Sequence, residues 1–217
     1  MNDNGHLRQR ITFGLIGTIA LIEVILSGAD LGLWGARNWR AWAYILGSFQ
    51  PQLLGDARPF WPGQPAGMFL THIFVHTGLW HVTGNLVALA ILSSFLRGMR
   101  PSRFLALFFL SAFGAALVFA MIAPSGTSMT GASGAINGLA AFWGLRMIRK
   151  YPRSLYAAIS GRRALFFVLL IVIGIAQEAM TAWQAHLGGA LTGLIFALLP
   201  YQDVKGSRHS VTVQKGK

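Results

Sequence analysis

The chain has 217 residues, of which 54% are hydrophobic and only 11% charged. That is too little polar surface for a water-soluble globular domain, so the composition points to a protein whose solvent is lipid. With no cysteine there can be no disulfide and no thiolate metal site. The net charge of +12 must be sorted by position before it is read as affinity for nucleic acid.

Six apolar segments follow in chain order, at 11–33, 68–96, 104–123, 131–145, 164–179 and 182–199. Each approaches the length that carries a helix across about 30 Å of hydrocarbon, the fourth and fifth being short. The first is too long for a signal peptide, carries Glu23 and lacks a small-residue cleavage site, so it is expected to be retained as a helix. Arg8 and Arg10 precede it, and Arg97, Arg100 and Arg103 separate the second segment from the third. Arg146, Arg149, Lys150, Arg153, Arg162 and Arg163 separate the fourth from the fifth, and Lys205, Arg208, Lys215 and Lys217 follow the sixth. All of these fall on one side of a six-helix topology, with only Arg37, Arg40 and Arg58 on the other. Basic excess marks the cytoplasmic side, so both termini are expected there. The charge reads as topology, and no nucleic-acid partner is expected.

The connection between the first two segments, 30–67, holds Trp34, Trp39, Trp42, Tyr44, Trp61 and four prolines. Trp and Tyr favour the headgroup level, so this loop is expected to lie in the outer interface rather than to be a plain linker. Residues 1–200 form one membrane domain on this reading, and 201–217 a basic, disordered cytoplasmic tail. No internal repeat of the kind that builds inverted-repeat transporters is visible.

Polar groups at membrane depth are functional candidates, because burying them unpaired is expensive. His72, His76, His81 and Asn85 fall in the second segment, Ser133 in the fourth and His186 in the sixth. Counting about 1.5 Å per residue from the cytoplasmic ends puts Ser133, His186, Asn85 and His81 in one layer, about 18–24 Å up. His81 and Asn85 are i, i+4 and share a helix face; His72 and His76 would share another face of the same helix. A single metal cage from these histidines is therefore awkward, carboxylates are scarce, and neither a metal nor a cofactor is expected. The fourth segment covers only about 23 Å, so its start at Gly131 should sit below the outer surface, with 124–130 dipping in. Ser133 in its first turn would face water, beside free N–H groups and the positive end of the helix dipole. By itself Gly131-Ala-Ser133-Gly134 reads more readily as small-residue packing between helices than as a nucleophile, by about two to one.

Three stretches together resemble the rhomboid intramembrane serine proteases. They are Gly131-Ala-Ser133-Gly134, matching GxSG; His76-Thr-Gly-Leu-Trp-His81-Val-Thr-Gly-Asn85, matching the His/His/Asn pattern of the second helix; and Ala185-His186-Leu-Gly-Gly189-Ala-Leu-Thr-Gly193, matching AHxxGxxxG of the sixth. The resemblance implies an all-α, six-transmembrane-helix bundle with an interfacial outer loop between helices 1 and 2. It implies Ser133 as nucleophile and His186 as its base and then acid, with His81, Asn85 and the Ser133 N–H donating to the oxyanion. His76, Gly131, Gly134, Asn137, Gly189 and Gly193 would be structural supports, the last two letting the sixth helix press against the fourth. His72 is also read as structural, and Glu178 as interfacial rather than as a third catalytic member. Two positions depart from the family pattern. Asn137 stands where many members carry an aromatic against the catalytic histidine, and Ala66-Gly67-Met68-Phe69 stands where a Trp-Arg pair often precedes the second helix.

The implied activity is a serine endopeptidase cutting single-pass membrane proteins near the outer face through an acyl-enzyme, in a bacterial cytoplasmic membrane. Its partners would be transmembrane substrates and the lipid bilayer; the sequence is silent on self-association. One alternative is an inactive relative that binds membrane helices and controls their trafficking. A transporter using His76, His81 and Asn85 is disfavoured by the lack of intramembrane carboxylates and repeats.

Overall fold

The computed structural model describes residues 3–150 and 182–200, and every regular element among them is helical. Helix α1 is Asp3–Asp30, α2 Trp39–Gly47, α3 Gln64–Thr71, α4 Leu79–Phe95, α5 Pro101–Ile122, α6 Ser133–Lys150 and α7 Trp183–Leu198, with a 3₁₀ turn at Pro51–Leu54. The segment expected at 164–179, with Glu178, and the tail 201–217 lie outside the described residues. Two of the helices, over Gly5–Asp30 and Pro101–Ile122, are long and apolar enough to cross a membrane; Leu79–Phe95 is apolar but shorter.

Elementary signals explain most boundaries. Pro101 opens α5, where its missing N–H would have no helical partner anyway, and the extended Arg100 precedes it. α1 begins well before the apolar run at 11, because Arg8 and Thr12, one turn apart, are both buried against α4. Arg8 Nη1 donates to Ser93 O at 2.7 Å and to Ser93 Oγ at 2.6 Å, and Thr12 Oγ1 lies 2.7 Å from the same hydroxyl. This pairing of the start of α1 with the end of α4 makes the two helices antiparallel.

The segment expected as one helix over 68–96 is broken. α3 ends at Thr71 and α4 starts at Leu79, so His72 and His76 lie in the turn between them and not on the helix that carries His81. Two physical causes act together. Thr71, Ile73, Val75 and Thr77 are β-branched and Gly78 follows, all poor helix formers. The His72 carbonyl, which a continuing helix would offer to His76 N–H, instead accepts from Gly131 N at 2.7 Å. His72 and His76 therefore do not form a second face of His81's helix, contrary to the expectation from spacing.

The stretch between α1 and α4 is folded rather than a plain linker. The buried Gln64 side chain donates to Ile45 O at 2.8 Å and accepts from Phe60 N at 2.9 Å, while Thr71 Oγ1 donates to Gly47 O at 2.8 Å. Phe49 and Met129 exchange two backbone hydrogen bonds, 2.9 and 3.0 Å, and Tyr44 Oη meets Ser128 Oγ. The stretch is thereby stitched to the backbone that leads into Ser133. Its Trp34, Trp39, Trp42, Phe60 and Trp61 stay exposed.

Two apolar cores result. The larger gathers Ile19, Leu89, Leu92, Phe104, Phe108, Leu139 and Phe142 from α1, α4, α5 and α6. The smaller places Phe49, Met68, Phe119 and Met129 beneath the 49–71 stretch. Outside them, Leu110, Phe113, Leu117, Met121, Leu191, Leu194, Ile195 and Leu198 leave α5 and α7 with apolar outer faces, the pattern of helices solvated by lipid.

Candidate functional site

α5, α6 and α7 meet through small residues. A Cβ on Gly189 would overlap the Gly134 carbonyl, one on Gly193 the Gly138 carbonyl, and one on Gly188 the Gly114 carbonyl. α7 therefore runs parallel to α6 with their backbones in contact, and antiparallel to α5. Small-xxx-small spacing permits this approach, and it sets the first turn of α6 beside the first turn of α7.

Ser133 is the first residue of α6 and His186 stands in the first turn of α7. His186 Nε2 lies 3.0 Å from Ser133 Oγ, within hydrogen-bond reach for proton transfer. Both side chains are half-buried, so the pair is reachable. The Ser133 N–H belongs to the helix's first turn, whose donors have no intrahelical acceptor.

His81, in the first turn of α4, reaches the site from another side. A Cβ on Gly131 would stand 2.6 Å from His81 Nε2 and 3.5 Å from His76 Cδ2, so the imidazoles pack directly on the Gly131 backbone. Gly131 has φ +97°, which a side-chain-bearing residue rarely adopts, and both facts require glycine there. His76 and His81 rings meet edge-to-face with centroids 4.9 Å apart. Thr77 Oγ1 lies 3.1 Å from His81 Nδ1; with the hydroxyl donating, the proton of His81 sits on Nε2, beside Gly131.

Asn85 is buried one turn further along α4, where its Nδ2 donates to His81 O at 2.8 Å, leaving one amide hydrogen for another acceptor. Asn137 Nδ2 donates to Ser133 O at 2.9 Å, a bond within α6. Gly134 packs against Ala115 of α5. His72 is buried, its Nδ1 donating to Met68 O at 2.8 Å. The structure thus brings Ser133, His186, Gly131, His81 and His76 into one neighbourhood. His72 joins it through its backbone, whose carbonyl accepts from Gly131 N at 2.7 Å, while its ring turns to Met68 O.

Two contributors escape a reading of motifs. Thr77 sits inside the His76–His81 stretch but has no periodicity of its own to mark it. Arg40 lies far away in sequence, yet its Nη1 donates to His76 O at 2.9 Å. Its guanidinium also binds the Glu23 and Asp30 carboxylates of α1. Burial alone would lower the Arg40 pKa, but its hydrogen bonds and attraction to Glu23 and Asp30 prevail and raise it. A basic residue in α2 aligned with two acidic residues near the end of α1 was the only signal available.

Comparison with protein families matches residues 63–202 to the Rhomboid domain, more than half of the chain. Comparison with curated proteins gives no match. The family match and the apolar helices together make this chain an integral membrane protein of the rhomboid family.

Proposed function

We propose that the chain is an intramembrane serine endopeptidase that cuts single-pass membrane proteins near the outer face of the membrane. The observation that carries the reading is the 3.0 Å separation of His186 Nε2 from Ser133 Oγ. A serine hydroxyl is a weak nucleophile until a positioned base takes its proton. His186 Nε2 accepts that proton as Oγ bonds to the scissile carbonyl carbon, and the carbonyl π pair moves onto oxygen. His81 Nε2–H, the Ser133 N–H and the second Asn85 amide hydrogen are the donors suited to that oxyanion, and preorganised donors act strongly where water is scarce. Collapse of the intermediate breaks the C–N bond, and the leaving amine takes the proton from His186. Water then attacks the acyl-enzyme with His186 as base, releasing the acid and restoring Ser133.

Substrate helices hide their carbonyls in hydrogen bonds, so the scissile segment must unwind to reach Ser133. Segments with small or helix-weakening residues are the expected targets. The membrane is read as a bacterial cytoplasmic membrane with both termini on the cytoplasmic side, on the distribution of basic residues. Ser133 and His186 together with an intact packing of α6 on α7 favour an enzyme over an inactive helix binder.

Labelling of detergent-purified protein with a fluorophosphonate probe tests this without a known substrate. Wild type should be labelled, and Ser133→Ala and His186→Ala should not. Folded wild type that takes up no more probe than Ser133→Ala would sink the reading and leave the helix binder in its place.

A further inference from the structure

The ion pairs among the described residues both belong to Arg40, and they end on the backbone of the candidate site. Arg40 Nη2 donates to Glu23 Oε1 at 2.8 Å and to Ser27 Oγ at 3.0 Å, Nη1 to Glu23 Oε2 at 3.2 Å, and Nε to Asp30. Ser27 Oγ in turn donates to Glu23 Oε1 at 2.8 Å. Glu23 is 3% exposed and Arg40 half-buried, so their fork-shaped pairing is partly withdrawn from solvent, while Asp30 closes it from the exposed side. The remaining donation, Nη1 to His76 O at 2.9 Å, leaves the ionic network and fixes one peptide unit, that joining His76 to Thr77.

That peptide unit is flanked by two side chains that touch His81. The His76 ring lies edge-on to the His81 ring, and Thr77 Oγ1 lies beside His81 Nδ1. The unit belongs to the non-helical turn between α3 and α4, so no helix ladder fixes its orientation. Rotating it would move the packing partner of His81 and the hydroxyl beside Nδ1 together. Its setting comes from outside the turn, from carboxylates on α1.

We propose that Arg40 is a positioning residue for the reaction, acting through the His76–Thr77 peptide to hold the His81 imidazole at the oxyanion position beside Gly131. The inference rests on the functional reading given above and adds α1 and α2 to the machinery of the site. Arg40 touches neither substrate nor reacting atoms. It supplies the geometry on which donation to a developing oxyanion depends, where a misplacement of about 1 Å can cost about 100-fold in rate. Lysine in its place would keep the charge but could not span two carboxylates and a carbonyl with one planar fork.

The test is the rate of fluorophosphonate labelling of the full-length protein in detergent, resolved into the limiting rate at saturating probe and the half-saturating probe concentration. The rate is expressed per folded molecule, taken from the thermal unfolding transition of the same sample. Arg40→Ala should lower the limiting rate about tenfold or more, with the half-saturating concentration little changed. Arg40→Lys should recover part of that loss, and Glu23→Gln should show a smaller loss of the same kind. A merely structural role would lower the melting temperature and leave the limiting rate per folded molecule at the wild-type value, and that result would overturn the inference. Should Arg40→Ala not fold, the same two outcomes are read on Arg40→Lys and Glu23→Gln. Absence of labelling in wild type would defeat the reading of the site itself. Wild-type labelling matched by all three variants would defeat only the role of Arg40.

Discussion

Gly189 of α7 lies against the carbonyl oxygen of Gly134 in α6, so close that no side chain could stand between them. Gly193 repeats the arrangement against Gly138 one turn further along. His186 precedes the first of these contacts by three residues and Ser133 adjoins it, so the spacing of two backbones sets the spacing of two side chains.

A methyl group at 189 should therefore separate them. Gly189→Ala is expected to destabilise the protein by about 1–3 kcal/mol, the usual cost of overpacking. It should also slow fluorophosphonate labelling by more than about tenfold, because the pair must stay within hydrogen-bond reach. Gly144→Ala, also in α6 but with nothing within 4 Å of the added carbon, is the control. It should unfold at the same or a higher temperature, since alanine favours helix over glycine by about 1 kcal/mol. Thermal unfolding and labelling of both variants check this. Wild-type labelling by Gly189→Ala would show that the close approach does not hold the pair.

Thr77→Val removes the hydroxyl beside His81 Nδ1 and nearly preserves shape. Thr77 is exposed, so the melting temperature should stay near that of wild type. Labelling should slow about three- to tenfold, corresponding to the roughly 1 kcal/mol of one hydrogen bond. Thr77→Ser should restore it. Equal rates in all three proteins would mean that the tautomer of His81 is set elsewhere.

Ser111→Ala tests packing away from the candidate chemistry. Ser111 Oγ is fully buried against Gly138 and has no hydrogen-bond partner among the described residues. A buried hydroxyl without a partner is a liability, so alanine should be neutral or stabilising by up to about 1 kcal/mol. Thermal unfolding of the variant measures it, and a fall of several degrees would contradict the assignment of that oxygen as unpartnered.

How far the sequence discloses the structure depends on whether the determining contacts are local. α5 and α7 lie within three residues of the segments read from hydrophobicity, because Pro101 and the polar flanks mark them directly. The break at 72–78 falls inside an expected helix because no proline marks it, and its β-branched residues and Gly78 only weaken a helix. What completes it is a hydrogen bond from Gly131, nearly sixty residues away. GxSG and AHxxGxxxG name residues that the fold sets side by side, since glycine spacing along a helix is a local signal with a tertiary meaning. Arg40 carries no such signal. Its position opposite Glu23 and Asp30 arises only once α2 has folded back on α1, and nothing in 39–47 taken alone shows which way its basic residue turns. Asn137 is a third case: the expected pattern has an aromatic there, and the amide instead binds the Ser133 carbonyl one turn back.

The double hydrogen bond between Phe49 and Met129 makes the 49–71 stretch and the approach to Ser133 one mechanical unit. Met129 N–H and C=O are both occupied, so an incoming extended chain cannot pair with that residue until Phe49 lets go. Tyr44 would release Ser128 in the same displacement. Any outward swing of the aromatic stretch thus pulls on the backbone two residues before Gly131, on which the His81 ring packs. On the proposed function, admission of a chain and adjustment of the groups around Gly131 would be a single linked displacement rather than two independent ones.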